Sequence, residues 1–133
     1  MHVAIVIVGF RNLADIQHCL TAIGQSTYAD FEVMICENGG DQAFATLTEA
    51  LPRTLDAGQP IRVVKAPGNV GYAGGVNIGM EETPHADAWW VLNPDTLPDP
   101  GALAALVARL ARGDCQAVGG TQYFSNGRVQ SDG

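Results

Sequence analysis

The chain has 133 residues, which is enough for one domain that buries roughly two thirds of its unfolded surface. Its formal charge of −7 at pH 7 argues against a nucleic-acid groove, because binding there depends on phosphate neutralisation by clustered lysines and arginines. Although 47% of the residues are hydrophobic, no apolar run has the length of a membrane span, and no basic leader precedes an apolar segment. We therefore expect residues 1–133 to form one soluble, cytoplasmic domain that does not bind nucleic acid.

Cysteine and histidine spacing gives no metal-site pattern. The cysteines are odd in number, widely spaced and set in apolar segments, which predicts reduced core thiols. They are Cys19, Cys36 and Cys115. The histidines also lack ligand spacing, and we expect them at the surface or at helix ends. They are His2, His18 and His85.

The first elements form a strand followed by a helix. Val3 to Val8 is a run of mainly β-branched residues and predicts a central strand. The segment Gly9–Asn12 ends it, and Asn12 is placed to cap a helix that stops at Gly24. The apolar face of that helix comprises Leu13, Ile16, Leu20 and Ile23.

A second unit of the same kind follows. Phe31 to Cys36 predicts a strand, and Asp41 is placed to cap a helix that Pro52 closes. Its apolar face comprises Phe44, Leu47 and Leu51. Ile61 to Val64 predicts a third, short strand. A glycine-rich segment, residues 68–80, then predicts a loop that runs into a short helix.

The run Ala88–Leu92 predicts a strand buried on both faces of a parallel sheet, since a half-exposed strand would alternate apolar and polar residues. Trp89 and Trp90 are then expected in the core on opposite faces. Asp95 follows after Asn93 and Pro94, at the strand's carboxyl end. There it either contacts a ligand or only begins a turn after the proline.

The remaining residues predict a helix, a strand and a hairpin. Asp99 is placed to cap a helix that ends at Gly113, with apolar positions at Leu103, Leu106, Val107 and Leu110. Gln116–Thr121 predicts a fifth strand. Tyr123–Val129 predicts a hairpin with a two-residue type I′ turn at Asn126-Gly127. The alternation of strands and helices predicts an α/β fold with a mostly parallel central sheet and flanking helices.

Several strand ends carry side chains suited to a planar base. In a parallel sheet these ends share one edge, where ligands bind in open α/β folds. Stacking on Phe10 would contribute about 1–3 kcal/mol, and a hydrogen bond from a base N–H to the carboxylate of Glu37 roughly 1.5–3 kcal/mol. Together they favour uracil or thymine. The alternatives are a core role for Phe10 and a solvated loop position for Glu37.

The glycine-rich segment is suited to ribose or diphosphate, because glycines let backbone N–H groups approach a ligand closely. It lacks the Gly-Lys-Ser/Thr of a P-loop, and the first strand lacks a dinucleotide fingerprint, which disfavours a nicotinamide-dependent oxidoreductase. A divalent metal, Mn²⁺ or Mg²⁺, held by Asp95 and by ligand oxygens would offset the diphosphate charge. Arg11 either touches the diphosphate or is solvated.

Five segments in this order carry a family resemblance. They are residues 3–8, 37–39, 69–79, 92–96 and 127–131, of which Asn69–Gly79 and Asn93-Pro94-Asp95 are the most specific in combination. The chain resembles the amino-terminal half of a family 2 glycosyltransferase with the GT-A fold, and is most similar to bacterial rhamnosyltransferase-like members. The resemblance covers nearly the whole chain.

The resemblance implies a donor site for a UDP- or dTDP-sugar, with dTDP-rhamnose as a candidate, and inverting transfer to a hydroxyl of a glycan or lipid-linked acceptor. The pathway would be cell-surface polysaccharide or glycan synthesis, and the acceptor would bring the enzyme to a membrane face. By the same resemblance Asp95 binds the Mn²⁺ or Mg²⁺ ion. The implied nucleotide-binding residues are Phe10, Arg11, Glu37, Asn38, Asn69, Gly71, Gly74, Gly75, Asn77 and Asn93.

The sequence departs from the family pattern in three places. Asn93 replaces the first aspartate of Asp-x-Asp, and the segment 37–41 reads Glu-Asn-Gly-Gly-Asp where Asp-Asn-x-Ser is more usual. The chain ends at Gly133, before the segment that carries the family's general base, so no catalytic residue is assigned and Asp132 is a remote candidate. We expect a truncated donor-binding portion whose open sheet edge favours a homodimer. The alternative is a non-catalytic nucleotide-sugar binding or assembly module.

Overall fold

The computed structural model describes residues 1–132 and confirms the α/β class with a mostly parallel sheet and flanking helices. Its four parallel strands lie in the order β3-β2-β1-β4. They are β1 (Val3–Gly9), β2 (Phe31–Glu37), β3 (Ile61–Lys65) and β4 (Ala88–Leu92). The helices are α1 (Leu13–Ile23), α2 (Asp41–Ala50), α3 (Gly71–Glu81) and α4 (Ala102–Leu110). A separate antiparallel pair, β5 (Gln122–Tyr123) and β6 (Val129–Ser131), follows.

The two central strands, β1 and β2, are buried along their whole length. They pair in register from Val3 opposite Phe31 to Gly9 opposite Glu37. This register places the residues that follow β1 beside the residues that follow β2. The predicted central strand is therefore confirmed, and both strands extend one residue further than expected.

Successive strand residues point to opposite faces of the sheet, and each face has its own helices. On one face, Ile5, Ile7, Val33 and Ile35 join a single apolar cluster with residues of α1, α2 and α4. The helix residues of that cluster are Ile16, Cys19, Leu20, Ile23, Leu47 and Leu103. This cluster is the main core of the domain.

The other face of the central strands is covered by α3, which reaches the sheet through glycines. A Cβ on Gly75 would lie 2.7 Å from Val8 Cγ1, and a Cβ on Gly79 would lie 2.5 Å from Val6 Cγ1. Both distances are shorter than real Cβ contacts. Only glycine permits this separation of helix and sheet. The glycine-rich segment is thus mostly helix rather than loop, because its glycines pack against β1.

The prediction that Ala88–Leu92 is buried on both faces is wrong. Strand β4 lies at the edge of the sheet, with no partner on its outer side within residues 1–132. Trp90 packs against the main core, whereas Trp89 remains 39% exposed and donates through Nε1 to Thr83 Oγ1 at 3.0 Å. The face of β4 that carries Trp89 and Val91 is therefore partly open to water.

The predicted helix caps are wrong in detail, because each side chain has another partner. Asn12 is the N-cap of α1, but its Oδ1 accepts from the Phe10 N–H, on the side away from the helix. Asp41 is the first residue of α2 rather than its cap, and it pairs with Lys65. Asp99 lies before Gly101, the N-cap of α4, and accepts from the Gly101 N–H at 2.8 Å.

The carboxyl-terminal segment also differs from the prediction. Gln116–Thr121 is not a strand and is mostly exposed, with no ladder partner among the described residues. The hairpin at Tyr123–Val129 is confirmed, but its turn has three residues, closed by the Phe124 N–H donating to the Arg128 carbonyl at 2.8 Å. Gly127 alone adopts positive φ there, at 79°, whereas a type I′ turn needs two such residues.

The cysteine prediction is confirmed for two of three residues. Cys19 and Cys36 are buried and reduced, whereas Cys115 is reduced but only half-buried. In the described part of the chain, none of the helices has the length and hydropathy needed to cross a bilayer.

Candidate functional site

Three of the predicted site segments meet at the carboxyl edge of the sheet. Phe10 and Arg11 follow β1, and Glu37 ends β2, directly opposite Gly9. On the other side of β1, Leu92 of β4 pairs with Ile7, which places Asn93 and Asp95 at the same edge. Helix α3 begins at this edge too, since Asn38 Nδ2 donates to the Gly71 carbonyl at 2.9 Å.

Glu37 is fully buried, which rules out a solvated loop position. Its Oε1 accepts from the Gly39 N–H at 2.6 Å and from the Arg11 N–H at 3.2 Å. Its Oε2 is buried and has no hydrogen-bond partner among residues 1–132. A buried acceptor left unsatisfied costs about 1–3 kcal/mol or more when it is charged. Glu37 therefore holds two loops together through Oε1, and its Oε2 lies unpaired beside Gly9.

Arg11 is held in an uncommon backbone conformation beside that carboxylate. Its φ is 55°, in the left-handed region that bulky residues rarely adopt. Its Nε donates to the Gly39 carbonyl at 3.1 Å, and its guanidinium lies over the Phe10 ring, 5.2 Å from the ring centre. Phe10 is half-exposed, so it is not a core residue. Arg11 is exposed as well, with its Nε hydrogen-bonded to the Gly39 carbonyl.

A pocket of about 480 Å³ opens beside Glu37, between the start of α1 and residues 42–47 of α2. Its apolar wall is formed by Leu13, Ala43 and Leu47, and its polar groups include Gln42 and Thr46. Glu37, Gly39, Arg11 and Asn12 complete the lining. The volume falls within the roughly 300–1,000 Å³ of small-molecule sites. Sequence reasoning missed Gln42 and Thr46, because their helical spacing is that of an ordinary solvated face.

Asp95 is exposed and does not line this pocket. The charge of Asp95 acts on two neighbouring groups, Tyr72 of α3 and Cys19 of α1. Burial raises the pKa of Tyr72, and the charge of Asp95 raises it further. Burial also raises the pKa of Cys19 to about 11, with Asp95 adding to the effect and a hydrogen bond to Thr96 opposing it. Tyr72 is half-exposed and was not among the predicted site residues.

The other predicted residues have mainly structural positions in the described chain. Asn69 Oδ1 accepts from the Gly71 N–H at 3.1 Å and shapes the start of α3. Gly74 and Gly75 permit close packing of α3, against Val70 and Val8 respectively. The remaining two, Asn77 and Asn93, are exposed.

A divalent metal at Asp95 would take few ligands from the protein. Within residues 1–132, Asp95 belongs to no group of three or more histidine, cysteine or carboxylate side chains at ligand distance. Mg²⁺ and Mn²⁺ are commonly bound through one or two carboxylates, with substrate phosphates completing the shell. The donor set at this edge therefore fits a cation that arrives with a diphosphate.

A second polar cluster lies at the opposite, amino edge of the sheet. Glu32 of β2 is buried, and its Oε1 lies 2.6 Å from His85 Nε2 and 3.4 Å from His2 Nε2. The two imidazole rings stack with centroids 5.7 Å apart. His85 and His18 are exposed, as predicted, but the fold joins two histidines that sequence spacing left unconnected.

The pKa of His2 predicts a pH dependence of stability. Its hydrogen bond to Asp30, 2.7 Å long, raises the pKa above the ordinary value of 6.5. Stabilisation by this contact is complete below pH 6.5 and is lost as the pH rises through the raised pKa. In EDTA, His2→Gln should therefore lower the melting temperature more at pH 5.5 than at pH 8.5. The exposed His18→Gln is the control, and a pH-independent difference for His2→Gln would show that the contact with Asp30 does not titrate in this way.

The sequence model of glycosyl transferase family 2 matches residues 4–132 of the chain. The chain belongs to glycosyl transferase family 2. No curated protein matches it at a significant level.

Several solved structures share its GT-A fold. S. aureus TarS residues 1–349 has a TM-score of 0.65 and 12% identity to the chain, covering 92% of it. TarS in complex with UDP-GlcNAc has a TM-score of 0.65, 14% identity and 84% coverage. The mannosyltransferase PcManGT from Pyrobaculum calidifontis, in complex with GDP-Man and Mn²⁺, has a TM-score of 0.66, 19% identity and 83% coverage.

The chain spans only part of these proteins. It covers 40% of TarS 1–349, 32% of that protein in the UDP-GlcNAc complex and 32% of PcManGT.

Proposed function

We propose that this chain binds the donor of a glycosyltransferase, a UDP- or dTDP-sugar, with dTDP-rhamnose as a specific candidate. The observation that carries the proposal is the pocket beside buried Glu37, on the same sheet edge as exposed Asp95. The pocket beside Glu37 suits a base, and Asp95 suits a metal-bound diphosphate. Family membership supports the same reaction class, and two similar folds are complexes with UDP-GlcNAc and GDP-Man.

The residues at this edge have separate tasks in the proposal. The free Oε2 of Glu37 accepts the N–H that uracil and thymine carry. Phe10 offers an exposed ring, and Arg11 beside it carries a charge suited to phosphate. A divalent cation, when bound, neutralises the departing diphosphate, and Asp95 is the carboxylate that would hold it. Deprotonation of the acceptor hydroxyl, with inversion at the sugar, needs a base that no described residue is assigned to supply.

Calorimetry with UDP, dTDP, GDP and NAD, each with Mn²⁺ and with EDTA, tests the proposed function. We expect Mn²⁺-dependent binding of UDP or dTDP and none of NAD. At about a hundred times its dissociation constant, a ligand adds roughly 2.7 kcal/mol to the free energy of unfolding, so a thermal-shift assay gives a second readout. Binding of GDP alone would overturn the choice of base. Binding of no nucleotide would overturn the donor site in this chain.

Substitution of Glu37 tests the base contact. Glu37→Gln retains an oxygen for the Gly39 and Arg11 N–H groups but removes the charge. The loss of a charged hydrogen bond worth roughly 1.5–3 kcal/mol should weaken UDP binding by about 10- to 150-fold. Glu49→Gln, on the exposed face of α2, is the control and should bind UDP as the parent does. Equal UDP affinity in both variants would exclude Glu37 as a base contact.

A second candidate, a binding or assembly module without turnover, is favoured by the open outer edge of β4 and by the lone carboxylate at Asp95. An open strand edge pairs readily with another chain, so this module would form a homodimer. Light scattering should then show a dimer, whereas a monomer at high concentration would contradict it. Sugar transfer or donor hydrolysis by the purified chain would exclude a module without turnover.

A further inference from the structure

We propose that His2, Glu32 and His85 form a zinc site at the amino edge of the sheet. The two imidazoles and the carboxylate each offer one ligand atom, and these atoms lie within 4.8 Å of one another. His2 precedes β1, Glu32 lies in β2, and His85 precedes β4. Because β1 and β2 have seven residues each, the site is separated from the carboxyl edge by roughly 20 Å. It is independent of the proposed donor site.

The distances suit a tetrahedral metal. Two ligands at about 2.0–2.1 Å from a tetrahedral Zn²⁺ are themselves roughly 3.4 Å apart, which is the separation of His2 Nε2 and Glu32 Oε1. His85 Nε2 lies closer to the same oxygen, at 2.6 Å. Its side chain is 58% exposed, so it is free to move outward by the small amount needed. Three protein ligands leave the fourth position for water or another ligand.

Groups around the three ligands orient them. Asp30 Oδ1 lies 2.7 Å from His2 Nδ1, which favours the tautomer whose Nε2 lone pair is available to a metal. Arg62 Nη2 lies 3.5 Å from Glu32 Oε2 and leaves Oε1 to the two histidines. Metal-binding histidines commonly have such a carboxylate on the second nitrogen.

The excess of carboxylates favours a cation at this edge, and the ligand types favour Zn²⁺ over Mg²⁺ or Ca²⁺. Glu32, Asp30 and Asp87 bring three carboxylates to this edge, since Asp87 accepts from the His2 N–H at 2.7 Å. Arg62 and the amino-terminal group of Met1, 3.7 Å from Asp30 Oδ2, bring two cations. Imidazole nitrogens suit zinc and similar transition metals, whereas Mg²⁺ and Ca²⁺ prefer oxygen ligands. A bound zinc ion would tie together the starts of β1, β2 and β4.

Titration of the whole chain with ZnCl₂ at pH 7.5 tests the site, with Cys115→Ser as the parent so that the partly exposed thiol takes no metal. We expect one zinc per chain and a higher melting temperature. His85→Gln, at an exposed position, should lower zinc affinity at least tenfold while the circular dichroism spectrum is unchanged. Co²⁺ should give the visible spectrum of a tetrahedral site in the parent and lose it in His85→Gln.

Two controls distinguish zinc at this cluster from zinc bound elsewhere on the chain. His18→Gln removes an exposed histidine outside the cluster and should leave zinc binding unchanged. Asp95→Asn should also leave zinc binding unchanged. A failure of the zinc site can therefore be distinguished from a failure of the proposed nucleotide site. Zinc affinity in His85→Gln equal to that of the parent, or no zinc binding by the parent, would overturn the proposal and leave the cluster as ion pairs only.

Discussion

Asp95→Asn should remove the Mn²⁺-dependent part of UDP binding. In the proposed donor site Asp95 is the carboxylate that holds the cation, and in the described chain no cluster of metal-ligating side chains includes it. We expect the gain in UDP affinity on adding Mn²⁺ to fall by about a hundredfold, which corresponds to roughly 2.7 kcal/mol. Calorimetric titration of UDP with Mn²⁺ and with EDTA measures this difference directly.

The matched control is Asp99→Asn, four positions along the same exposed segment. Its carboxylate accepts from the Gly101 N–H, and an asparagine oxygen can replace it there. UDP affinity in Mn²⁺ should match that of the parent. If Asp95→Asn and the parent show the same Mn²⁺ effect, Asp95 is not the metal-binding residue.

Gly79→Val should strongly destabilise the fold. Its side chain would enter the space filled by Val6, since even a Cβ would lie 2.5 Å from Val6 Cγ1. Overpacking of a buried site costs about 1–3 kcal/mol and sometimes more. We expect a loss of roughly 3 kcal/mol in the free energy of unfolding and a fall of about 10 °C in melting temperature. Urea denaturation followed by circular dichroism measures the change.

Two further variants test the cause of that loss. Gly68→Ala adds a methyl group where nothing lies within 4 Å, so its stability should stay within about 0.5 kcal/mol of the parent. In a double-mutant cycle, Val6→Ala with Gly79→Ala should be less destabilised than the sum of the single variants, because each change accommodates the other. Strict additivity would show that α3 does not press against Val6.

The meeting of the strand ends at the carboxyl edge of the sheet could be predicted, because it follows from the local pattern of apolar residues. The apolar runs that became β1 and β2 define the sheet, and the residues after them, Phe10, Glu37 and Asn38, meet where parallel topology requires. The burial of Glu37 could not be predicted. It depends on the Arg11 and Gly39 N–H groups converging on Oε1, which is a tertiary arrangement.

Other features depended on contacts that no local pattern encodes. The apolar content of Ala88–Leu92 predicts burial, but exposure depends on what packs over each face of β4, and Trp89 and Val91 on one face remain 39% and 38% exposed. The cluster of His2, Glu32 and His85 joins residues that are far apart in sequence. The spacing of the histidines along the chain therefore does not indicate a metal site. Residues 68–80 predict a loop that runs into a short helix, whereas α3 is longer than expected, with Gly75 and Gly79 packed against Val8 and Val6.

The location of the bound nucleotide tests the central claim most directly. Amide resonances of the chain, followed by NMR while UDP and Mg²⁺ are added, report every site the ligand touches. The donor site at the carboxyl edge predicts the largest shifts at Phe10–Asn12, Glu37–Gly39 and Asn93–Thr96, with little change at His2 and Glu32. Shifts confined to the amino edge, or spread evenly over the chain, would contradict a nucleotide-sugar site between Glu37 and Asp95.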